Sequence, residues 1–460
     1  MNRTIKTQIL FIFLMLVLFP VCSLSSKSAQ SRRPIYLTFS MHGHSFNDRL
    51  PDPGEEYQRH RIEINWLRKT ANKYGAKLSF QMNGEYAEWC IHKGHQDEIS
   101  AFIRDGHTIS VHFHGAKRSA ELEWNSVSYQ EMTHEYIARQ WQDHYEWVQK
   151  AVPEYKVIRM DAGGWGDLFI DELIRRMEIK MLCAPEDHIT GYNHYKFGHH
   201  VWNPYRPKAG TFIEEDLSTP YIYFPMLPQL GRAVAAGRHA GLKMTVPHVK
   251  RRILMIYLEW LHQEQNNLPD KVWTFGWVSH PGQNSKYHHE VEEMWQWVNE
   301  TFINKKSARG NVIMEYASDE DVYREYLKWE NENPGMSSFS WKKGDPYPYS
   351  IPAMQTAFDM AEYDYEISDW ENLGVNCHHL TRNVVDDKTA SGVEVWVLWK
   401  DFGETTIDAQ YMLGKQVQVK GIEGNTSIVS AANLTVGENP IFVERYREIR
   451  RPEGQTGERQ

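Results

Sequence analysis

Two His-x-His pairs, His42-Gly43-His44 and His112-Phe113-His114, are the residues of this chain best placed to do chemistry. Each follows a short run with strand character, and residues two apart on a strand project to the same side. Four imidazoles delivered to one place suit a divalent metal, zinc first, with a further position left for water or substrate. An ion so held would polarise a carbonyl or a sugar oxygen. Asp161, within Arg159-Met160-Asp161-Ala162-Gly163-Gly164-Trp165, is a candidate base or nucleophile, with Arg159 able to orient a carboxylate. An Asp that only shapes the following Gly turn is the plainer alternative. His280, in Ser279-His280-Pro281-Gly282, is a candidate general acid, because its proton exchanges near neutral pH. Glu186 and Asp187 are candidate substrate-binding residues. Trp165, Trp202 and Tyr205 could stack on a flat apolar face such as that of a sugar ring; Trp277 suits stacking or the core equally.

These residues need elements that bring them together. Between Pro34 and Pro334, apolar runs that read as strands (35–39, 76–81, 107–113, 156–160, 180–184, 221–225, 272–278 and 312–316) alternate with helical patterns (55–74, 98–103, 132–151, 168–177, 250–264, 290–303 and 319–329). Strand–helix repetition implies parallel strands with helices outside. Roughly seven or eight such units imply an α/β fold of the (β/α) barrel type, in which chemistry sits at the C-terminal strand ends. Both His pairs, Asp161 and His280 fall at such ends. Asn333-Pro334-Gly335 breaks the pattern, residues 336–361 read as a linker or cover, and 362–446 read as a small all-β, sandwich-like domain. Residues 447–460 form a polar tail.

The chain has 60 acidic and 51 basic residues, a formal charge of -9, and no basic domain, which argues against a nucleic-acid partner. Arg3 and Lys6 precede an apolar run from Ile9 to Val21 and a small polar exit, the pattern of a secretory signal peptide over residues 1–29. A secreted or periplasmic location is therefore expected, with no membrane span in the mature chain. A lipid anchor on Cys22 is disfavoured because Val21 stands where a small residue is expected. The other cysteines, Cys90, Cys183 and Cys377, match no zinc-knuckle spacing and allow at most one disulfide.

From about Pro34 to Trp329 the chain resembles the polysaccharide deacetylases, the NodB-type carbohydrate esterases. Ile35-Tyr36-Leu37-Thr38-Phe39 is similar to that family's first-strand motif, and Ala76 to Gly84 to its second strand. The stretch Ile103-Arg104-Asp105-Gly106-His107-Thr108-Ile109-Ser110-Val111-His112 is similar to the one carrying a metal-binding His. Val157 to Gly164 is similar to the Arg motif that supports the catalytic base, Asn203 to Pro207 to a family loop, and Trp273 to His280 to the motif whose His is the general acid. The departures are specific. Ser40 and Met41 occupy the places of the family's two first-strand Asp residues, Ala116 that of its second metal His, and Asp161 that of a Pro.

The resemblance implies an exported, metal-dependent hydrolase acting on a polysaccharide or glycan, with deacetylation the first expectation. A glycoside hydrolase using Asp161 with Glu186 or Asp187 is the alternative, since a glycosidase needs two carboxylates about 5 to 9.5 Å apart. A non-catalytic glycan-binding barrel is the third.

Overall fold

A computed structural model describes residues 31–43, 52–113, 116–126, 134–162, 176–183, 202–208, 215–224, 246–279, 285–339, 364–367, 375–385, 390–422 and 425–448. The expected signal peptide and most of the expected helix 168–177 and of the linker lie outside the described residues.

The first unit contains strands β1 (Ile35–His42), β2 (Leu78–Met82), β3 (Thr108–Phe113), the hairpin β4 (Ala116–Ala120) and β5 (Glu123–Ser126), then β6 (Arg159–Ala162), β7 (Met181–Cys183), β8 (Ile222–Tyr223), β9 (Trp273–Ser279) and β10 (Met314–Tyr316). Its helices are α1 (Pro53–Tyr74), α2 (Gly84–His92), α3 (Gln96–Arg104), α4 (His134–Ala151), α5 (Val246–Gln265), α6 (Ser285–Thr301) and α7 (Asp319–Glu332). The main sheet runs β9-β1-β2-β3-β6-β7-β8, all neighbours parallel, and β10 pairs with the first half of β1. Among the described residues β8 and β9 do not pair. The segment 202–207 lies between them instead. Thr274 N–H donates to the Trp202 carbonyl at 2.8 Å, Asn203 Nδ2 to the Val272 carbonyl at 2.7 Å, and Tyr223 N–H to the Tyr205 carbonyl at 2.6 Å.

Alternation along the strands sorts the sheet into two faces. Ile35, Leu37, Phe39 and Met41 share one core with Leu78, Phe80 and Met82, with Ile109 and Val111, and with Trp273, Phe275 and Trp277. That core also holds Ile64 and Leu67 of α1, Phe102 of α3, Trp141 of α4, Ile256 of α5 and Trp295 of α6, so this face points at the helices. The opposite face therefore points inward. It carries Thr38, Ser40 and His42 from β1, Ser79 and Gln81 from β2, Thr108, Ser110 and His112 from β3, and Arg159 and Asp161 from β6. Below them Tyr36, Met181 and Ile222 pack with Val322, Tyr326 and Trp329 of α7, which covers the lower end of the sheet.

Sequence signals set the helix ends. Asp52 caps α1 by accepting from Gly54 and Glu55 N–H, Pro53 fills its first turn, and Gly75 ends it at φ 75°. Ser318 and Asp321 form a reciprocal capping box on α7. The expectation of one helix between β2 and β3 is corrected to two. The hairpin β4–β5 and the wall segment 202–207 fall where no element was expected.

The second unit is a six-stranded antiparallel sheet, β11-β12-β13-β18-β15-β16, with β14–β17 as a separate pair. These are β11 (Asp364–Ile367), β12 (Asn376–Val385), β13 (Ala390–Trp399), β14 (Thr405–Ile407), β15 (Gln416–Gly421), β16 (Thr426–Ser430), β17 (Leu434–Val436) and β18 (Ile441–Glu448). In this unit, expected to be all-β, a short helix α8 (Gln410–Leu413) follows β14. Val395, Val397 and Trp399 join the core of the first unit, with Trp399 meeting Tyr257 of α5 edge-on at 6.2 Å. Trp396 and Leu398, on the other face of β13, pack on Ile407, Leu413, Leu434 and Val436. Cys90 and Cys377 are buried. Among the described residues no helix is long and apolar enough to cross a membrane.

Candidate functional site

The sheet register brings His42, His112 and Asp161 to its C-terminal edge. His42 is level with Gln81 on β2, and His112 with Asp161 on β6. The rings of His42 and His112 stack, with centroids 4.4 Å apart and planes 25° apart. His112 Nδ1 lies 3.0 Å from the Asp161 carbonyl oxygen. A carbonyl only accepts, so Nδ1 carries the proton and the lone pair of the neutral ring sits on Nε2. A backbone carbonyl orienting the far nitrogen is the arrangement that metal-binding imidazoles use. Gly43 follows His42 at a close approach, where a Cβ would lie 3.0 Å from the Gln81 carbonyl oxygen.

The Asp161 side chain is engaged at both oxygens. Oδ1 accepts from Arg159 Nη2 at 2.8 Å and Oδ2 from Ser110 Oγ at 2.6 Å. Arg159 also pairs through Nη1 with Asp319 at the start of α7, and its guanidinium lies over the Phe224 ring, 5.0 Å from the centroid. Arg159, Asp161 and Asp319 are exposed by 2%, 3% and 1%. One buried cation thus serves two carboxylates, and the network fixes the strand segment whose carbonyl orients His112.

The exits of β2 and β3 are held by His144 of α4. Its Nδ1 accepts from Gly84 N–H at 2.9 Å, and its Nε2 donates to the Ala116 carbonyl at 2.9 Å. Trp124 of the hairpin meets that ring edge-on at 4.7 Å and donates its indole N–H to Glu88 at 2.7 Å. Arg118 Nη2 donates to the same carboxylate at 2.7 Å.

Of the residues expected from the sequence, the structure brings together His42, His112, Asp161 and Arg159. His44, His114, Trp165, Glu186, Asp187 and His280 lie outside the described residues. Among the described residues there is no group of three or more side chains able to hold a metal; two of the four expected histidines are adjacent. Trp202 and Tyr205 are packed into the wall between β8 and β9, and Tyr205 stacks on Phe339 at 4.5 Å. Trp277 lies in the helix-facing core, 4.2 Å from Phe39. Sequence reasoning missed Ser110, Asp319 and His144, and also Glu85, fully buried just past β2. Ser110 was within reach, since it precedes His112 by two on the same strand.

The chain matches no family model and no curated protein. Among solved structures it is similar to the peptidoglycan deacetylase PdaC from Bacillus subtilis, at 10% identity and TM-score 0.28 over 66% of this chain and 98% of that one. It is similar also to a family 4 carbohydrate esterase from Streptomyces lividans, at 7% identity and TM-score 0.27 over 62% and 99%. A 4-alpha-glucanotransferase from Thermococcus litoralis aligns at 10% identity and TM-score 0.39 over 91% and 100%. At these scores the likeness is one of outline, and any functional reading rests on the site itself.

Proposed function

We propose that this chain is an exported, metal-dependent carbohydrate-active hydrolase that removes acetyl groups from a polysaccharide or glycan. The observation that carries the reading is His112. It sits at a parallel strand end, buried, stacked on His42, with Nδ1 committed to the Asp161 carbonyl and Nε2 left as its basic nitrogen. His42 and His112, with His44 and His114, would hold a zinc ion. Bound there, the ion would supply Lewis acidity toward an acetyl carbonyl.

The chain's own residues do the rest. Arg159 and Ser110 hold the Asp161 carboxylate, and the backbone of Asp161 holds the tautomer of His112. Asp161 is thereby a positioning residue in this reading, and proton donation to the leaving group falls to His280. The sequence pattern of residues 1–29 supports export. The bonds that Asp161 accepts from Arg159 and Ser110 support a positioning role, while Glu186 and Asp187, the partners that the glycosidase alternative needs, lie outside the described residues.

Metal content and product analysis test the reading together. Purified protein should carry about one zinc per chain, and His112→Ala should lose it. An acetylated glycan should yield free acetate without new reducing ends. Reducing ends without acetate would replace the esterase reading with the glycosidase one. Metal-free protein of undiminished activity would remove the metal from it.

A further inference from the structure

The inward face of the sheet below the His pair carries a contiguous set of side-chain oxygens with no hydrogen-bond partner among the described residues. They are Thr38 Oγ1, Ser40 Oγ, Ser79 Oγ, Gln81 Oε1 and Thr274 Oγ1. Each of these residues is exposed by no more than 1%. Nearly all buried polar groups in folded proteins are bonded, and leaving one unbonded costs about 1–3 kcal/mol. Among the described residues an indole N–H without a hydrogen bond also occurs on the helix-facing side, at Trp277, within apolar packing. The five oxygens, by contrast, are neighbours on three adjacent strands. Ser40 is the register partner of Ser79, and His42 of Gln81. Gln81 is in turn the partner of Ser110, which bonds Asp161.

We propose that this layer holds ordered water, forming a hydrated floor that joins the His42 side of the site to the Ser110–Asp161 side. Side chains that are register partners are rooted about 4.8 Å apart. Hydroxyls so rooted can bond each other only when both turn inward along the gap, and Ser40 and Ser79 do not. Two hydrogen bonds of about 2.8 Å meeting at one water span that gap. The ligand class follows from the donors: all five oxygens are neutral, which suits water and gives a divalent cation no charge to offset its desolvation. At about three bonds per buried water, the five groups accommodate roughly two molecules. The inference stands on the inward face alone and is independent of the hydrolase reading.

Oxygen-17 relaxation dispersion counts long-lived internal waters and needs no activity. The test compares the full chain with Thr38→Val/Thr274→Val, which keeps side-chain volume and removes two hydroxyls. The hydrated floor predicts loss of at least one long-lived water per chain in the variant, with unchanged far-ultraviolet dichroism. Ser40→Ala, assayed the same way, supplies the comparison if the double variant misfolds. An unchanged water count in a folded variant that has gained thermal stability would overturn the proposal, because a dry, unbonded hydroxyl is better replaced by a methyl.

Discussion

Removing the Asp319 carboxylate tests the claim that Arg159 organises the site from beneath. Arg159 is almost wholly buried between Asp161 and Asp319, with its guanidinium on Phe224. Taking one partner from a buried ion pair costs about 3–5 kcal/mol, because the remaining charge stays out of water. Here Asp161 still holds Nη2 after Asp319→Ala, so the expected loss is at the low end, about 3 kcal/mol. Against a total stability of about 5–15 kcal/mol, that loss is measurable by urea unfolding of the full chain followed by tryptophan fluorescence. Arg159→Met and the double variant complete a cycle. If the carboxylate acts through the guanidinium, the double variant is little worse than the poorer single one, with a coupling of about 2 kcal/mol. Additive losses, or a cost below about 1 kcal/mol for Asp319→Ala, would show that the contact carries no stability and that α7 is held by its apolar face alone.

Two further perturbations probe the ends of the central strands. His107, exposed by 2%, accepts the Leu78 N–H on Nδ1 at 3.2 Å, and burial, reinforced by the Lys77 charge, pushes its pKa down to about 4. A depressed folded-state pKa gives stability that is present above pH 6.5 and lost as pH falls from 6.5 toward 4, about 3 kcal/mol in all. His107→Gln should flatten the unfolding free energy over that window, and equal slopes in the two proteins would sink the assignment. At the other end, a Cβ on Gly84 would stand 2.7 Å from Trp124 Cη2 and 2.9 Å from His144 Cα. Gly84→Ala should cost about 1–3 kcal/mol and speed proteolysis within residues 116–126; an unchanged melting temperature with an unchanged digest would show that the hairpin yields freely.

The parts of this fold that were legible in the sequence are those whose signal is local. Ile35, Leu37, Phe39 and Met41 announce a strand by alternation, and Asp52-Pro53 and Gly75 bound a helix by their own backbone chemistry. The hairpin was not legible because Lys117-Arg118-Ser119-Ala120-Glu121 has no apolar alternation. It is held by contacts to α2, through Glu88, and to α4, through His144. The wall at 202–207 was missed for a related reason. Pro204 and Pro207 have no N–H to donate, so this stretch joins its neighbours through isolated bridges, such as the reciprocal pair between Tyr205 and Tyr223, and never shows a strand's pattern. At the site, alternation sufficed to place His42 and His112 together, whereas nothing near Arg159 in the chain points to Asp319.

The two positions at the end of β1 where the chain departs from the motif it resembles have unequal weight once the faces are known. Met41 lies on the helix-facing side, fully buried in the apolar core, so it takes no part in the inward face. Ser40 lies on the inward face beside Ser79 and directly below His42. A carboxylate there would enter a layer of neutral oxygens together with Asp161 and Asp319, against the one buried cation Arg159 among the described inward residues. Two carboxylates already share that guanidinium, and no second protein cation stands among the described inward residues to offset a third. The serine is therefore consistent with the rest of the interior. The stacking of His42 on His112, with His112 oriented by the Asp161 carbonyl, is held without an acid at position 40.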